Sequence, residues 1–364
     1  MRPSGYLVDT PEGGAFTATP VDLRAVVEDL GVWFADTLDV TGRLSITVSG
    51  RWNRQSETLA DRRGSALTGA AVYQRFNPAA GLTWRALDGL TAYAGYAEGS
   101  RAPTPSEIEC ADPTRPCLLP SSLASDPPTL RQVASRTWEA GLRGHATVAG
   151  DGRLTWRAGV FRADLSNDIG AVATSLGTGY FRNIGGTRRK GVELSADYRR
   201  GPFRAVLAYS LVDAAYRDGF TEASPANPTA DAAGDIAVRP GDHLPGAPRH
   251  RFKVGLEQDL GRGVSVGADL AVVSSQIYRG DESNALAPLP GYAVVGLRAV
   301  WRWRPGASLS VSVRNLLDAR YATFGVLGDP TGVGAPGVPA VGADPRFQSP
   351  AAPRAVTVGV KASF

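Results

Sequence analysis

The chain lacks any run of about 18 apolar residues, so no helix can cross a bilayer. A barrel that crosses with strands stays open, because its lipid face uses only every second residue. Lysine is nearly absent: Lys190, Lys253 and Lys361 are the three among 39 Lys+Arg. The net charge of +4 is spread along the chain with no dense basic block, which leaves no footprint for nucleic acid. The N-terminal stretch MRPSGYLVDTPEGG has no apolar core and does not read as a signal peptide. There are two cysteines and three histidines. Cys110 and Cys117, in the Pro-rich stretch ECADPTRPCLLP, fit a small disulfide loop in an oxidising compartment. Free thiols and metal ligation are the other readings, and the metal reading needs ligands that His145, His243 and His250 do not supply nearby in sequence.

No catalytic set is visible, and no cofactor is expected. Ser106, Glu107 and Glu109, and likewise Asp242 and His243, are loop residues without partners at a meaningful spacing. The Gly/Pro-rich stretches are not phosphate cradles, since no helix follows them. Asp281 and Glu282 beside Arg279 offer a cation site on paper, but a solvated loop is the simpler reading.

What is abundant is turn chemistry. The 43 Gly and 26 Pro make up about a fifth of the chain, above ordinary usage. From about residue 22 a run of about ten residues alternates apolar and polar, a short turn follows, then a second such run, then a long polar loop. The pairs are Leu30–Leu38 with Leu44–Arg54, Phe76–Ala86 with Leu90–Glu98, and Arg136–Val148 with Leu154–Leu165. Lys190–Arg199 with Phe203–Tyr216, His250–Gln258 with Val264–Ile277, and Gly291–Arg302 with Ser308–Asn315 follow. A lone strand, Arg354–Phe364, ends the series, with Val356, Val358, Val360, Ala362 and Phe364 on one parity. After Val160 the parity slips, which predicts a bulge there. The fold class expected is all-β, an antiparallel transmembrane barrel with about thirteen strands present. Short turns at one end and long loops at the other suit such a barrel, and strands of about 9–11 residues suit a tilted crossing. Arg51, Glu139, Arg143, Glu193, Asp197, Arg298 and Arg314 on the polar parity suit a wet lumen, since unpaired charge in a packed core is expensive.

Seven segments then resemble one family in its own order. They are Phe76–Trp84 (FNPAAGLTW) with Leu90–Glu109, Ser135–Gly144 (SRTWEAGLRG), Gly179–Tyr198 (GYFRNIGGTRRKGVELSADY), His243–Phe252 (HLPGAPRHRF), Arg279–Tyr292, Asn315–Gly325 (NLLDARYATFG) and the terminal Phe364. The family is that of TonB-dependent outer-membrane receptors, whose barrel has about 22 strands around a plug. The resemblance runs from about residue 20 to the end and implies the C-terminal part of such a barrel. Residues 1–20 are then a partial strand or loop at a truncated start, and 21–364 the barrel domain. Signal peptide, TonB-contacting segment and plug are departures from the family pattern.

The resemblance implies energised import of a scarce ligand, most commonly a ferric siderophore or other iron complex, with the chain not transport-competent alone. A passive porin-like pore is the alternative. Implied partners are outer-membrane lipid, the TonB system acting through a plug, the barrel-assembly machinery and a small-molecule metal chelate. Arg101, Glu107, Arg182, Asn183 and Arg279, polar residues at outward strand ends or in outer loops, are candidates to bind ligand. Phe364 is expected to be the assembly signal.

Overall fold

The structure is a computed structural model and describes residues 22–65, 67–111, 117–118, 130–175, 178–328 and 344–363. Residues 1–20 and Phe364 lie outside the described residues. Most of the described residues are strand.

The strands are β1 (Leu23–Thr41), β2 (Leu44–Asp61), β3 (Gly69–Leu87), β4 (Leu90–Arg101), β5 (Cys117–Leu118), β6 (Val133–Val148), β7 (Gly152–Ser175), β8 (Thr178–Arg200) and β9 (Phe203–Tyr216). They continue as β10 (Phe220–Ala223), β11 (Asp235–Val238), β12 (His250–Gly261), β13 (Val264–Val273), β14 (Tyr292–Arg304), β15 (Ala307–Arg314), β16 (Ala322–Leu327), β17 (Arg346–Pro350) and β18 (Ala355–Ala362). Thirteen of them form one antiparallel path, β1-β2-β3-β4-β6-β7-β8-β9-β12-β13-β14-β15-β18, with β5 attached to β8. The two short hairpins β10-β11 and β16-β17 stand apart from it. The path ends on β1 and β18, which are not paired with each other among the described residues.

Every expected short turn is a turn. At 261–263 three successive residues, Gly261, Arg262 and Gly263, have positive φ (78°, 53° and 77°). A Cβ on Gly263 would lie 2.0 Å from the Arg302 carbonyl oxygen, so glycine is required there by conformation and by space.

Two expectations need correction. The stretches read as long loops between Arg54 and Phe76 and between Leu165 and Lys190 are largely strand: β2 runs on to Asp61 and β3 starts at Gly69, while β7 and β8 run 24 and 23 residues and pair out to Ser175↔Thr178. The apolar parity disappears there because apolar residues fall on both parities, Ile169 and Ala171 against the buried Val172, so no period of two marks it. The bulge expected after Val160 is absent. β6 and β7 pair without a shift from Val148↔Gly152 to Ala134↔Ser166. The register shifts lie further on, between Leu165 and Asp168, where Asn167 has φ 54°. What changes after Val160 is the surroundings of the strand: Phe161 keeps one face and Arg162 takes the other.

Cross-strand rows divide the sheet into two faces. Leu82, Ala94, Ala140, Val160, Val192 and Leu211 are successive partners on one. Leu256, Ala268, Leu297, Val313 and Val356 form a row on the same side, and Val356, Val358 and Val360 are each more than 60% exposed. The opposite face carries Glu139, Glu193, Arg143, Arg157, Asp197 and Arg298. Such a sheet has no interior core, and its buried residues lie in the outer loops and strand ends. One short helix, α1 (Pro105–Glu109), lies in the loop after β4. Its Ile108 packs on Leu59 and Tyr73.

Candidate functional site in the outer loops

Three loop regions, 217–249, 274–291 and the described parts 315–328 and 344–354 of a third, meet beyond the strand ends. Their shared apolar centre is Tyr278, Leu289, Ala322 and Leu327, all buried. Polar staples join them. Ser224 Oγ and Asn227 Nδ2 donate to the Gly280 carbonyl at 2.6 and 2.9 Å. Gln348 Nε2 donates to the Tyr278 hydroxyl at 2.7 Å. His243 N–H donates to Asn284 Oδ1 while Asn284 Nδ2 donates to the His243 carbonyl. The Asp281 carboxylate, 1% exposed, accepts the Ala285 and Leu286 N–H groups and Asn227 Nδ2. Asp281 is therefore a loop organiser, its lone pairs taken up by backbone.

Within this lobe a carboxylate pair meets two arginines. Glu222 sits opposite Ile236 in the β10-β11 hairpin and both are buried. Burial, then repulsion from Glu282, pushes the Glu222 carboxyl up to about 8, against the pull of Arg182 and Arg279. Burial also raises Glu282, opposed by the Gly280 N–H and Arg279. Glu282 Oε1 accepts the Gly280 N–H at 3.1 Å, and its buried Oε2 has no partner. Arg182 Nη2 donates to the Thr221 carbonyl at 2.5 Å and its guanidinium lies 5.3 Å from the Phe220 ring centre. The buried Arg182 Nε has no partner, and Arg279 is exposed. Like-charge repulsion disfavours ionising both acids together, and a third carboxylate, Asp281, adds to that repulsion at Glu282.

Of the residues singled out in the sequence, Arg182 and Arg279 come together here, and the others serve elsewhere. Arg101 and Glu107 hold each other, Nη1 to Oε2 at 2.7 Å and Nη2 to Oε1 at 3.1 Å. Glu107 also accepts the Thr104 N–H, completing the capping box of α1. Burial pushes its carboxyl up, but Arg101 and Thr104 outweigh that and hold it below the ordinary glutamate range. Asn183 is a staple: it accepts the Arg131 N–H and donates to the Arg131 and Asn167 carbonyls. Cys110 is disulfide-bonded, and the side chain of Cys117 lies outside the described residues. Sequence reasoning missed Glu222. The signal was available: in FTEA, a glutamate takes the parity that Phe220 holds.

On the charged face, a cleft of about 1060 Å³ near the short turns is lined by Arg85, Arg143 and Arg157 with Asp197. Arg143 and Arg157 are direct cross-strand partners, a repulsive placement that water or an anionic neighbour relieves.

Comparison with known proteins follows the same lines. The family model of TonB dependent receptor-like β-barrels matches residues 4–316. The probable TonB-dependent siderophore receptor PiuA of Acinetobacter baumannii is 22% identical over 309 residues, 83% of this chain and 38% of that one. The metal-pseudopaline receptor CntO of Pseudomonas aeruginosa is 26% identical over 189 residues, 51% of this chain and 24% of that one. The chain thus spans well under half the length of these relatives. Among solved structures, the ferric yersiniabactin uptake receptor FyuA of Yersinia pestis superposes with a TM-score of 0.68 at 16% identity, covering 94% of this chain and 46% of that one.

Proposed function

Because the chain belongs to the TonB dependent receptor-like β-barrel family, we propose that it supplies barrel strands and ligand-capturing loops of an outer-membrane receptor for energised uptake of a ferric siderophore or other iron chelate. The observation that carries this reading is one sheet with an apolar face and a charged face, topped by a lobe in which Arg182 and Arg279 pull against the raised, buried carboxyls of Glu222 and Glu282. The apolar face suits lipid, and the charged face suits water or a plug. Charge-assisted bonds from Arg suit the carboxylate, catecholate or hydroxamate oxygens of an anionic chelate. The names of the relatives PiuA and CntO support siderophore-type metal complexes as the class of cargo. Within this reading the TonB system drives transport through a plug, the assembly machinery reads Phe364, and Cys110 pairs with Cys117 to brace the loop that carries α1.

The test is binding of anionic ferric chelates to the full chain in detergent micelles, read by tryptophan quenching. Replacing Arg182 and Arg279 by Ser is expected to weaken binding roughly tenfold for each residue. Unchanged binding by the double variant would remove the lobe as the capture site.

A further inference from the structure

On the charged face one row of cross-strand partners runs Arg85, Thr91, Arg143, Arg157 and Ser195 across β3, β4, β6, β7 and β8. The row lies near the short turns, and all five residues line the cleft of about 1060 Å³. Neighbouring strands stand about 4.8 Å apart, so Arg143 and Arg157 start side by side. Arg85 stands about 10 Å from Arg143, with Thr91 between them. Among the described residues neither Arg143 nor Arg157 makes a hydrogen bond or an ion pair. Arg85 donates from Nη2 to the Gly42 carbonyl, which leaves its other N–H groups for the cleft.

The nearby acids do not match these cations. Asp88 and Asp197 line the cleft too. Asp197 is held by Arg199 and Arg204, at 3.0 and 2.6 Å. Asp88 is exposed in the turn after β3. Glu193 lies one row away on β8, opposite Gly159, and forms no ion pair with Arg157 among the described residues. Arg85, Arg143 and Arg157, with the two arginines on Asp197, therefore outnumber the three carboxylates.

A further donor reaches the arginine pair from the next row, where Tyr93, Gly141 and Gly159 are successive partners. Tyr93 lies flat over both glycines. A Cβ on Gly141 would lie 2.6 Å from the Tyr93 hydroxyl oxygen, and one on Gly159 would lie 2.8 Å from it. Bare backbone on β6 and β7 thus makes the slot that the phenol occupies. The hydroxyl is set between these two strands, about 7 Å along them from the level of Arg143 and Arg157. It has no hydrogen-bond partner among the described residues.

We propose that Arg143, Arg157 and Tyr93 form a second anion site, on the charged wall near the short turns, for the carboxylate oxygens of an anionic iron chelate. The inference rests on the chelate-receptor reading above and adds a site remote from the outer loops. Arg182 pairs with Gly170, and about a dozen residues of β7 separate Gly170 from Arg157, so the two sites stand about 40 Å apart. One carboxylate accepts from two guanidinium groups at once and offsets their repulsion. A second carboxylate of the same ligand reaches Arg85 and Thr91, which a lone small anion on the arginine pair leaves unused. The cleft has the volume of a small-molecule site.

The full chain in detergent micelles is equilibrated with radiolabelled ferric citrate, and bound iron is measured by equilibrium dialysis. The wild type is expected to bind two equivalents. Replacing Arg182 and Arg279 by Ser removes one of them. Replacing Arg143 and Arg157 by Ser weakens the other on the order of a hundredfold. Tyr93→Phe is expected to weaken that same equivalent roughly tenfold. Gly141→Ala, which displaces the ring, is expected to do the same alone and to add nothing to Tyr93→Phe. Replacing Arg302 and Arg314 by Ser takes equal charge from the same face further round the sheet and is expected to change neither equivalent. Retention of both equivalents by the Arg143 and Arg157 variant, or equal loss in the Arg302 and Arg314 variant, overturns the inference. So does a penta-aspartate peptide that binds at Arg143 and Arg157 and is not displaced by ferric citrate. A single equivalent that depends on Arg143 and Arg157 counts against the outer-loop site and leaves this inference standing. A single equivalent that depends on Arg182 and Arg279 overturns this inference and leaves the outer-loop site standing. No bound iron overturns both.

Discussion

Glu222 and Glu282 are held away from water in the lobe built around Tyr278, Leu289, Ala322 and Leu327, and that placement gives the lobe a pH dependence. The folded Glu222 carboxyl lies near 8, above its ordinary value of 4.5. A raised value means that the folded lobe binds the proton more tightly than the unfolded loop does. The stabilisation is full below about 4.5 and is lost as pH rises through about 8. The loop 217–249 is therefore expected to become more susceptible to proteolysis as pH rises across that window, and Glu222→Gln to flatten the dependence and protect the loop above it. Limited proteolysis against pH checks both, and a flat wild-type profile counts against a raised Glu222 carboxyl. Glu222 was legible as an oddity, a carboxylate on an apolar parity. Its partner was not, because Glu282 comes from another loop sixty residues on.

Among the elements, α1 is the one that local sequence could have announced. Thr104-Pro105-Ser106-Glu107 spells a capping box with proline in the first turn, and the structure contains both reciprocal bonds. Thr104→Ala is expected to cost about 1 kcal/mol of local stability, read as faster amide exchange over 105–109 with little change in the strands. The long hairpin β7-β8 is the converse case. Its outer half has no apolar parity, and its pairing rests on contacts such as Arg189 with Asp168 at 3.6 Å and Thr187 Oγ1 donating to Asp168 at 2.6 Å. Period-two reasoning needs one wet face and one dry face, so it fails where apolar residues occupy both parities, as Ile169 and Ala171 do beside the buried Val172. For the same reason the change at Arg162 looked like a bulge. The backbone continues regularly, and only the medium beside it changes.

Over the whole molecule, the sheet carries its apolar surface outside and its charge on the other face, the reverse of a sandwich. β1 and β18 each leave one row of backbone groups without a strand partner among the described residues. In hydrocarbon each such group costs several kcal/mol. Amide exchange of the chain in micelles is accordingly expected to be slowest in β6 to β9 and fastest along the free edges of β1 and β18. Equal protection at both edges would mean that they are covered, by each other or by further strands.

Alternation along the chain, with glycine at the tight turns, was enough to determine an all-β antiparallel sheet, its thirteen principal strands, and which residues share a face. Those are local properties: a strand's parity follows from its own backbone, and a hairpin's register from the turn that closes it. The gathering of Glu222, Glu282, Arg182 and Arg279 and the stapling of three loops on Tyr278 join residues from distant parts of the chain. They depend on which strands become neighbours and how far each rises beyond its partners. Only the folded sheet sets those heights, because they are sums over many pairings and appear in no single stretch.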